Sequence, residues 1–150
     1  MIVAIDNCIL VSLVSERAVY NNLETFLHQN NATLLIPTPV IAEFIAIDHN
    51  NRRNKLLTIS HNKVLNGAFD KKTAFICGEL ASKLDKEFLR TDKQKVKVDL
   101  QIIAIALANN AEVLLSEDRG IINAVKTLEL NLKIYKRDDL KIGLDLFDKQ

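Results

Sequence analysis

Four short apolar runs recur along the chain: "IVAI" at 2–5, "TLLIP" at 33–37, "EVLLS" at 112–116 and "LKIYK" at 132–136. Runs of this length and type suit strands buried on both faces. The stretches between them carry helical patterning. Val19, Leu23, Phe26 and Leu27 mark one helical face, and Asn30-Asn31 can close that helix because Asn tolerates the left-handed conformation. Pro37 stops the second strand. Thr38 reads as a helix cap and Pro39 suits a first helical turn, so "TPVIAEFIAID" restarts helix and "NNRRNKLLTIS" continues it. Gly67 leaves "KVLNGAF" ambiguous. From Asp70, one face carries Thr73, Cys77, Leu80, Ala81, Leu84 and Phe88, and the other Lys72, Glu79, Ser82, Lys83 and Lys86. That pattern predicts an amphipathic helix to about Leu89. A polar loop, "RTDKQK", then leads to a helix near Val98–Asn109, and a further helix is expected from Arg119 to about Leu128. Strands alternating with helices imply βαβ units and a mostly parallel sheet, an α/β fold. "HQNNATLLIP" and "LANNAEVLLS" look alike, which shared helix-stop chemistry explains better than duplication.

Composition narrows the possibilities. A chain of 150 residues is expected to form one domain, 1–150, with a sizeable core. With 20 Lys+Arg against 19 Asp+Glu, the surface as a whole exerts no strong pull on a polyanion, so one would need a local patch. Two cysteines argue against a disulfide-built fold, and Cys77 reads as a small buried hydrophobe. The N-terminus shows no signal-peptide pattern, and no apolar run approaches the roughly eighteen residues of a membrane span. The chain therefore reads as cytoplasmic and reduced. His28, His49 and His61 have no zinc-ligand spacing.

The acids are the informative residues. In a parallel sheet, sites gather beyond the C-terminal ends of the strands. Asp6 sits there after the first run, and Ser116, Glu117 and Asp118 after "EVLL". Asp99 lies in line with Ile102, Ile103, Ala106 and Leu107 at helical spacing, and Glu43 shares a face with Val40, Ala46 and Ile47. Each acid has an ordinary explanation. Asp6 and Asp118 can cap helices, Asp99 can favour a helix N-terminus, and Glu43 can be a satisfied core acid. One shared cause is more economical than four separate ones. Converging carboxylates repel, and Mg²⁺ or Mn²⁺ removes the conflict, since hard cations prefer oxygen ligands. A metal held by acids can activate water and brace a phosphodiester during in-line attack. Lys83, Lys86, Arg90, Lys93, Lys95 and Lys97 form a basic margin leading to Asp99, and Arg52, Arg53 and Lys55 a second cluster. Either can guide a phosphate backbone or be a solvated surface. Two Tyr and no Trp offer little stacking surface, so backbone contact is favoured over base reading.

Asp6 after a short strand, Glu43 within "TPVIAEF", Asp99 opening "DLQIIAIALANNAEVLLSEDRGI", and Ser116 and Asp118 after the next strand together resemble the PIN-domain ribonucleases, over about residues 1–136. The compact size is most similar to the toxin half of virulence-associated (VapC-type) toxin–antitoxin pairs. The resemblance implies a three-layer α/β/α sandwich. It implies that Asp6, Glu43, Asp99 and Asp118 match an acidic quartet holding Mg²⁺ or Mn²⁺, with Ser116 matching a supporting hydroxyl. It also implies an RNA substrate, a small antitoxin partner and a homodimer. Asn7 departs from the Thr or Ser often found after the first acid, and it can still donate a hydrogen bond in support of the site. Cys8 occupies a place where Asn, Ser or Cys tends to occur. The tail "KIGLDLFDKQ" matches nothing in the family.

The lead expectation is thus a metal-dependent endoribonuclease. Its alternatives are a non-catalytic PIN-like module binding RNA or protein, a stand-alone RNA-processing nuclease, a DNA-acting flap-type nuclease and a phospho-acceptor domain. The last fits poorly, because Asp6 is followed by Asn7 rather than a second acid and Glu43 lies inside a helix.

Overall fold

Residues Ile2–Ile5 form strand β1, and a computed structural model, which describes residues 1–58, 63–84 and 93–141 (backbone alone at 93–97), shows where it lies. After it come α1 (Asn7–Ser15), α2 (Arg17–Gln29), β2 (Thr33–Pro37), α3 (Thr38–Ala46), α4 (Arg52–Thr58) and β3 (Val64–Gly67). Next are α5 (Lys71–Lys83), α6 (Lys93–Ala108), β4 (Val113–Leu115), α7 (Arg119–Thr127) and β5 (Lys133–Tyr135). The sheet order is β3-β2-β1-β4-β5, and every pairing is parallel. β1 is central: Val3 pairs with Leu34 of β2 on one side and with Val113 of β4 on the other. Val3, Ala4 and Ile5 are each 0% exposed. Successive strand residues point to opposite faces, so both faces are covered by helices, giving an α/β/α sandwich.

The connections follow the residues. α2 and α6 stop at Asn pairs, as their sequences require. Asn31 and Asn110 have positive φ (46° and 59°), and the next residues reach back five positions, Ala32 N–H to the Leu27 carbonyl (2.8 Å) and Ala111 N–H to Ala106 (2.9 Å). This closure satisfies carbonyls that a helix end leaves orphaned. Asp70 caps α5 by accepting from the Thr73 N–H at 2.9 Å. Leu100 and residues 102–106 of α6 are all buried, so this helix is enclosed on every side rather than along one stripe.

Several elements depart from expectation. α6 begins at Lys93, so part of "RTDKQK" is helical rather than loop. Packing of the buried 100–106 segment stabilises a helix that can extend through polar residues. "KVLNGAF" contributes β3, an edge strand in which Gly67 lets Ile105 and Leu35 approach its backbone. α1 interposes a separate helix before α2. Thr38 is the first residue of α3 rather than its cap; Pro37 precedes it and supplies no side-chain cap. α3 buries Val40 and Phe44 but leaves Ala46 exposed and Ile47, just past its end, 60% exposed. The expected buried stripe through Glu43 is therefore absent, and Glu43 stands on the open side of the helix. α5 ends at Lys83, and the rest of the helix expected to Leu89 lies outside the described residues.

Candidate active site

The strand order turns at β1. The chain winds outward from β1 to β3, then returns through α5 and α6 to place β4 on β1's other side. Strand ends diverge at such a reversal and leave a crevice. Asp6 is the first residue beyond β1. Its N–H still reaches the Leu115 carbonyl of β4 (2.9 Å), while its side chain starts α1 by accepting from the Asn7 N–H through Oδ1 (2.7 Å). The residue is only 6% exposed. Burial pushes its carboxyl above the ordinary range and the Asp118 charge adds to this, against hydrogen bonds from Asn7 and Ser116.

Ser116 follows β4 and is fully buried. Its hydroxyl donates to Asp6 Oδ2 (2.9 Å) and accepts from the Asp118 N–H (3.1 Å). One hydroxyl thereby joins the segments that carry two of the acids. Asp118 caps α7, its Oδ1 accepting from Gly120 N–H (2.7 Å) and Ile121 N–H (3.3 Å). Asp99 comes from the buried part of α6 and is 7% exposed. Asp99 and Asp118 converge over Gly120: a Cβ there would overlap Asp99 Oδ2 and lie 3.0 Å from Asp118 Oδ1. Glu43 arrives from α3. Partial desolvation raises its carboxyl, and the charges of Asp6 and Asp118 raise it further.

Asp6, Glu43, Asp99 and Asp118 all line one open cleft of about 540 Å³, together with Asn7, Cys8, Val98 and Ile102. Asn7 Oδ1 is buried there with no hydrogen-bond partner among the described residues. Cys8, at a place where the family tends to have Asn, Ser or Cys, adjoins the acids: its thiol lies 3.7 Å from Asp6 Oδ2 and accepts from the Glu117 N–H at 3.5 Å. Burial of the sulfur raises its pKa. Gly120 was also missed, although a glycine one residue into a helix, in a chain with only 4 glycines, was a usable signal.

Other expected contributors lie elsewhere. Glu117, next to Ser116, pairs with Arg137 (3.0 Å), which pulls its pKa down. Arg53, from the second basic cluster, donates to the Phe44 carbonyl (2.9 Å) and lies 5.1 Å from that residue's ring centre. It closes the end of α3 rather than standing free for phosphate. Of the basic margin, Lys83 pairs with Glu79 (3.4 Å), and the side chains of residues 85–97 and the tail 142–150 lie outside the described residues.

The donor set fits a hard divalent cation. It is all carboxylate oxygen, and the charge of Asp118 raises the cost of ionising Asp6, as those of Asp6 and Asp118 do for Glu43. No three His, Cys, Asp or Glu side chains among the described residues are gathered tightly enough to hold an ion by themselves.

Fold and cleft together define a parallel α/β protein with an acidic crevice at the point where its strand order reverses. The chain belongs to the PIN domain family, whose model matches residues 3–127; domains of this family are generally nucleases. Similar solved structures include VapBC2 from Rickettsia felis bound to a DNA fragment from its promoter, with 25% identity, a TM-score of 0.66, and coverage of 91% of this chain and 98% of that one. VapBC-1 from nontypeable Haemophilus influenzae shares 19% identity with a TM-score of 0.63, covering 92% and 99%. FitAcB from Neisseria gonorrhoeae shares 15% with a TM-score of 0.54, covering 90% and 97%. No curated protein matches the chain in sequence. No helix among the described residues is long and apolar enough to cross a membrane.

Proposed function

We propose that the protein is a divalent-metal-dependent endoribonuclease, the toxin of a toxin–antitoxin pair. The observation that carries this reading is the arrival of Asp6, Glu43, Asp99 and Asp118 from four elements at one cleft. The likeness to VapBC2 and VapBC-1 supports a small antitoxin as partner. Asp6, Asp99 and Asp118 would hold Mg²⁺ or Mn²⁺, and Glu43 would complete the set from across the cleft, directly or through water. When bound, the ion supplies a water of lowered pKa and neutralises charge on the phosphodiester. The chain's own part is to hold the acids in place. The Ser116 hydroxyl fixes Asp6 against the Asp118 backbone, and α7's first N–H groups fix the Asp118 side chain.

Asp6→Asn and Asp99→Asn test the reading, because each removes a charge at nearly constant shape and Asn caps a helix about as well as Asp. Both variants are expected to lose RNA cleavage in Mn²⁺ while keeping the wild-type circular dichroism spectrum. Wild-type protein that cuts RNA no faster than Asp6→Asn, free of contaminating nuclease, would overturn it. One observation favours a non-catalytic PIN-like module instead: no ready-made cage of three acids exists among the described residues. That reading requires that Mn²⁺ leave the wild-type melting temperature unchanged.

A further inference from the structure

Arg137 lies outside the segment matched to the family, and its guanidinium bonds to three side chains from two parts of the chain. Its Nε donates to Glu117 Oε1 (3.1 Å), its Nη2 lies 3.0 Å from Glu117 Oε2, and its backbone N–H reaches Glu117 Oε1 (3.2 Å). Its Nη1 turns the other way, to Ser12 Oγ (3.2 Å) and Glu16 Oε2 (3.1 Å). Glu117 stands between Ser116, which holds Asp6, and Asp118, which lines the cleft. Ser12 and Glu16 belong to α1 and its end, the helix that Asp6 begins.

The connection that Arg137 grips is held at its two ends by Ser116, bonded to Asp6, and by Asp118, which caps α7. Beyond Ser116 the β4 ladder has ended. The Glu117 N–H has only the Cys8 sulfur at 3.5 Å, and the Asp118 N–H has the Ser116 hydroxyl. The fork of Arg137 on Glu117 anchors the middle residue of this connection by its side chain. A guanidinium suits this task because its planar donors match both oxygens of a carboxylate at once.

We propose that Arg137 is a positioning residue of the carboxylate cleft, setting Ser116 and Asp118 relative to Asp6 by clamping Glu117 to α1. The proposal rests on the metal-dependent reading above. Its direction is opposite to that of simple electrostatics. Removing a cation near four carboxylates should by charge alone tighten binding of a divalent ion. Loss of positioning should weaken it.

Mn²⁺ binding, followed by the electron paramagnetic resonance signal of free Mn²⁺ well below the melting temperature, separates the two. Outer-shell partners of metal ligands typically matter about 10- to 100-fold in affinity, and Arg137 acts one residue further out, so Arg137→Ala is expected to weaken Mn²⁺ binding about 3- to 10-fold. Arg137→Lys keeps the charge but loses the fork, and is expected to fall between; it also serves if Arg137→Ala does not fold. Because Arg137 acts through Glu117, the double variant Arg137→Ala/Glu117→Gln should bind no more weakly than the weaker single variant. Unchanged or tighter Mn²⁺ binding in Arg137→Ala, with only a lower melting temperature in EDTA, would make Arg137 purely structural and overturn the proposal, as would fully additive losses in the double variant. If wild-type protein shows no saturable Mn²⁺ binding, the metal-dependent reading itself fails and the proposal falls with it.

Discussion

The Ser116 hydroxyl has one proton, which goes to Asp6, and its oxygen accepts the Asp118 N–H. Ser116→Ala removes both bonds inside a fully buried site. The groups left behind are costly to strand, so a loss of about 1–3 kcal/mol is expected in chemical denaturation, together with weaker Mn²⁺ binding. Ser116→Thr retains the hydroxyl and should restore most of both. Gly120→Ala separates stability from function. Alanine favours a helix over glycine by about 0.5–1 kcal/mol, yet its Cβ meets Asp99 Oδ2 and Asp118 Oδ1. Mn²⁺ affinity is expected to drop at least about 10-fold, as for loss of a partner that orients metal ligands, while the melting temperature in EDTA moves little. Asp6 and Asp118 were legible because each falls at or just beyond the end of a strand-length apolar run. Glu43 was singled out on a mistaken ground, as an acid on a buried stripe; it lines the cleft from an exposed position instead. Arg137 gave no local signal, since its partners Ser12, Glu16 and Glu117 lie 125, 121 and 20 positions away.

Elements were readable where their period was clean. α7 divides sharply between apolar and polar faces, and the two Asn stops ended α2 and α6 as their chemistry demands. α1 was harder. "NCILVSLVS" is apolar nearly all round, so no face stands out against a period of 3.6, and only Asp6 marked its start. β3 was obscured because an edge strand buries little: its pattern runs from half-buried through exposed to a single buried Gly67. α7 carries a stop that the sequence conceals. Glu129 takes φ 51° just past its C-terminus, and the Leu130 N–H reaches back to the Val125 carbonyl (3.1 Å). A residue with a Cβ is strained there, and Glu129 is exposed, so its side chain loses little packing on removal. Glu129→Gly is expected to stabilise the fold by about 0.5–1 kcal/mol net, because glycine's larger unfolded entropy offsets part of the relief. Urea unfolding checks it, and Mn²⁺ binding should not change.

At the scale of the molecule, the parallel α/β class followed from strand runs alternating with helical segments, but the order β3-β2-β1-β4-β5 did not, because β1, β2 and β4 are each apolar enough for any interior place. That order decides which acids meet. It brings the ends of β1 and β4 together and leaves a folded protein that carries ionised carboxylates in partly desolvated surroundings. Burial raises Asp6 above its ordinary 3.8, and burial with the charges of Asp6 and Asp118 raises Glu43 above its ordinary 4.5. Between those ordinary values and the raised ones, the native state holds more protons than the unfolded chain. Metal-free stability therefore declines as pH rises through that window, and the loss is complete above it. Glu117 and Asp70 are shifted down, so their stabilising effect is lost only as pH falls below the ordinary range, in a separate window. On the proposed reading, a divalent cation would bind the ionised acids and reverse the upper trend. The rise in melting temperature caused by Mn²⁺ should accordingly be larger at pH 8 than at pH 5, with RNA cleavage increasing over the same interval. In EDTA at pH 8, Asp6→Asn should be at least as stable as wild type, since it keeps the helix cap without the buried charge. Equal Mn²⁺ shifts at both pH values, or an Asp6→Asn variant markedly less stable than wild type in EDTA, would show that burial of these charges is not what the ion relieves.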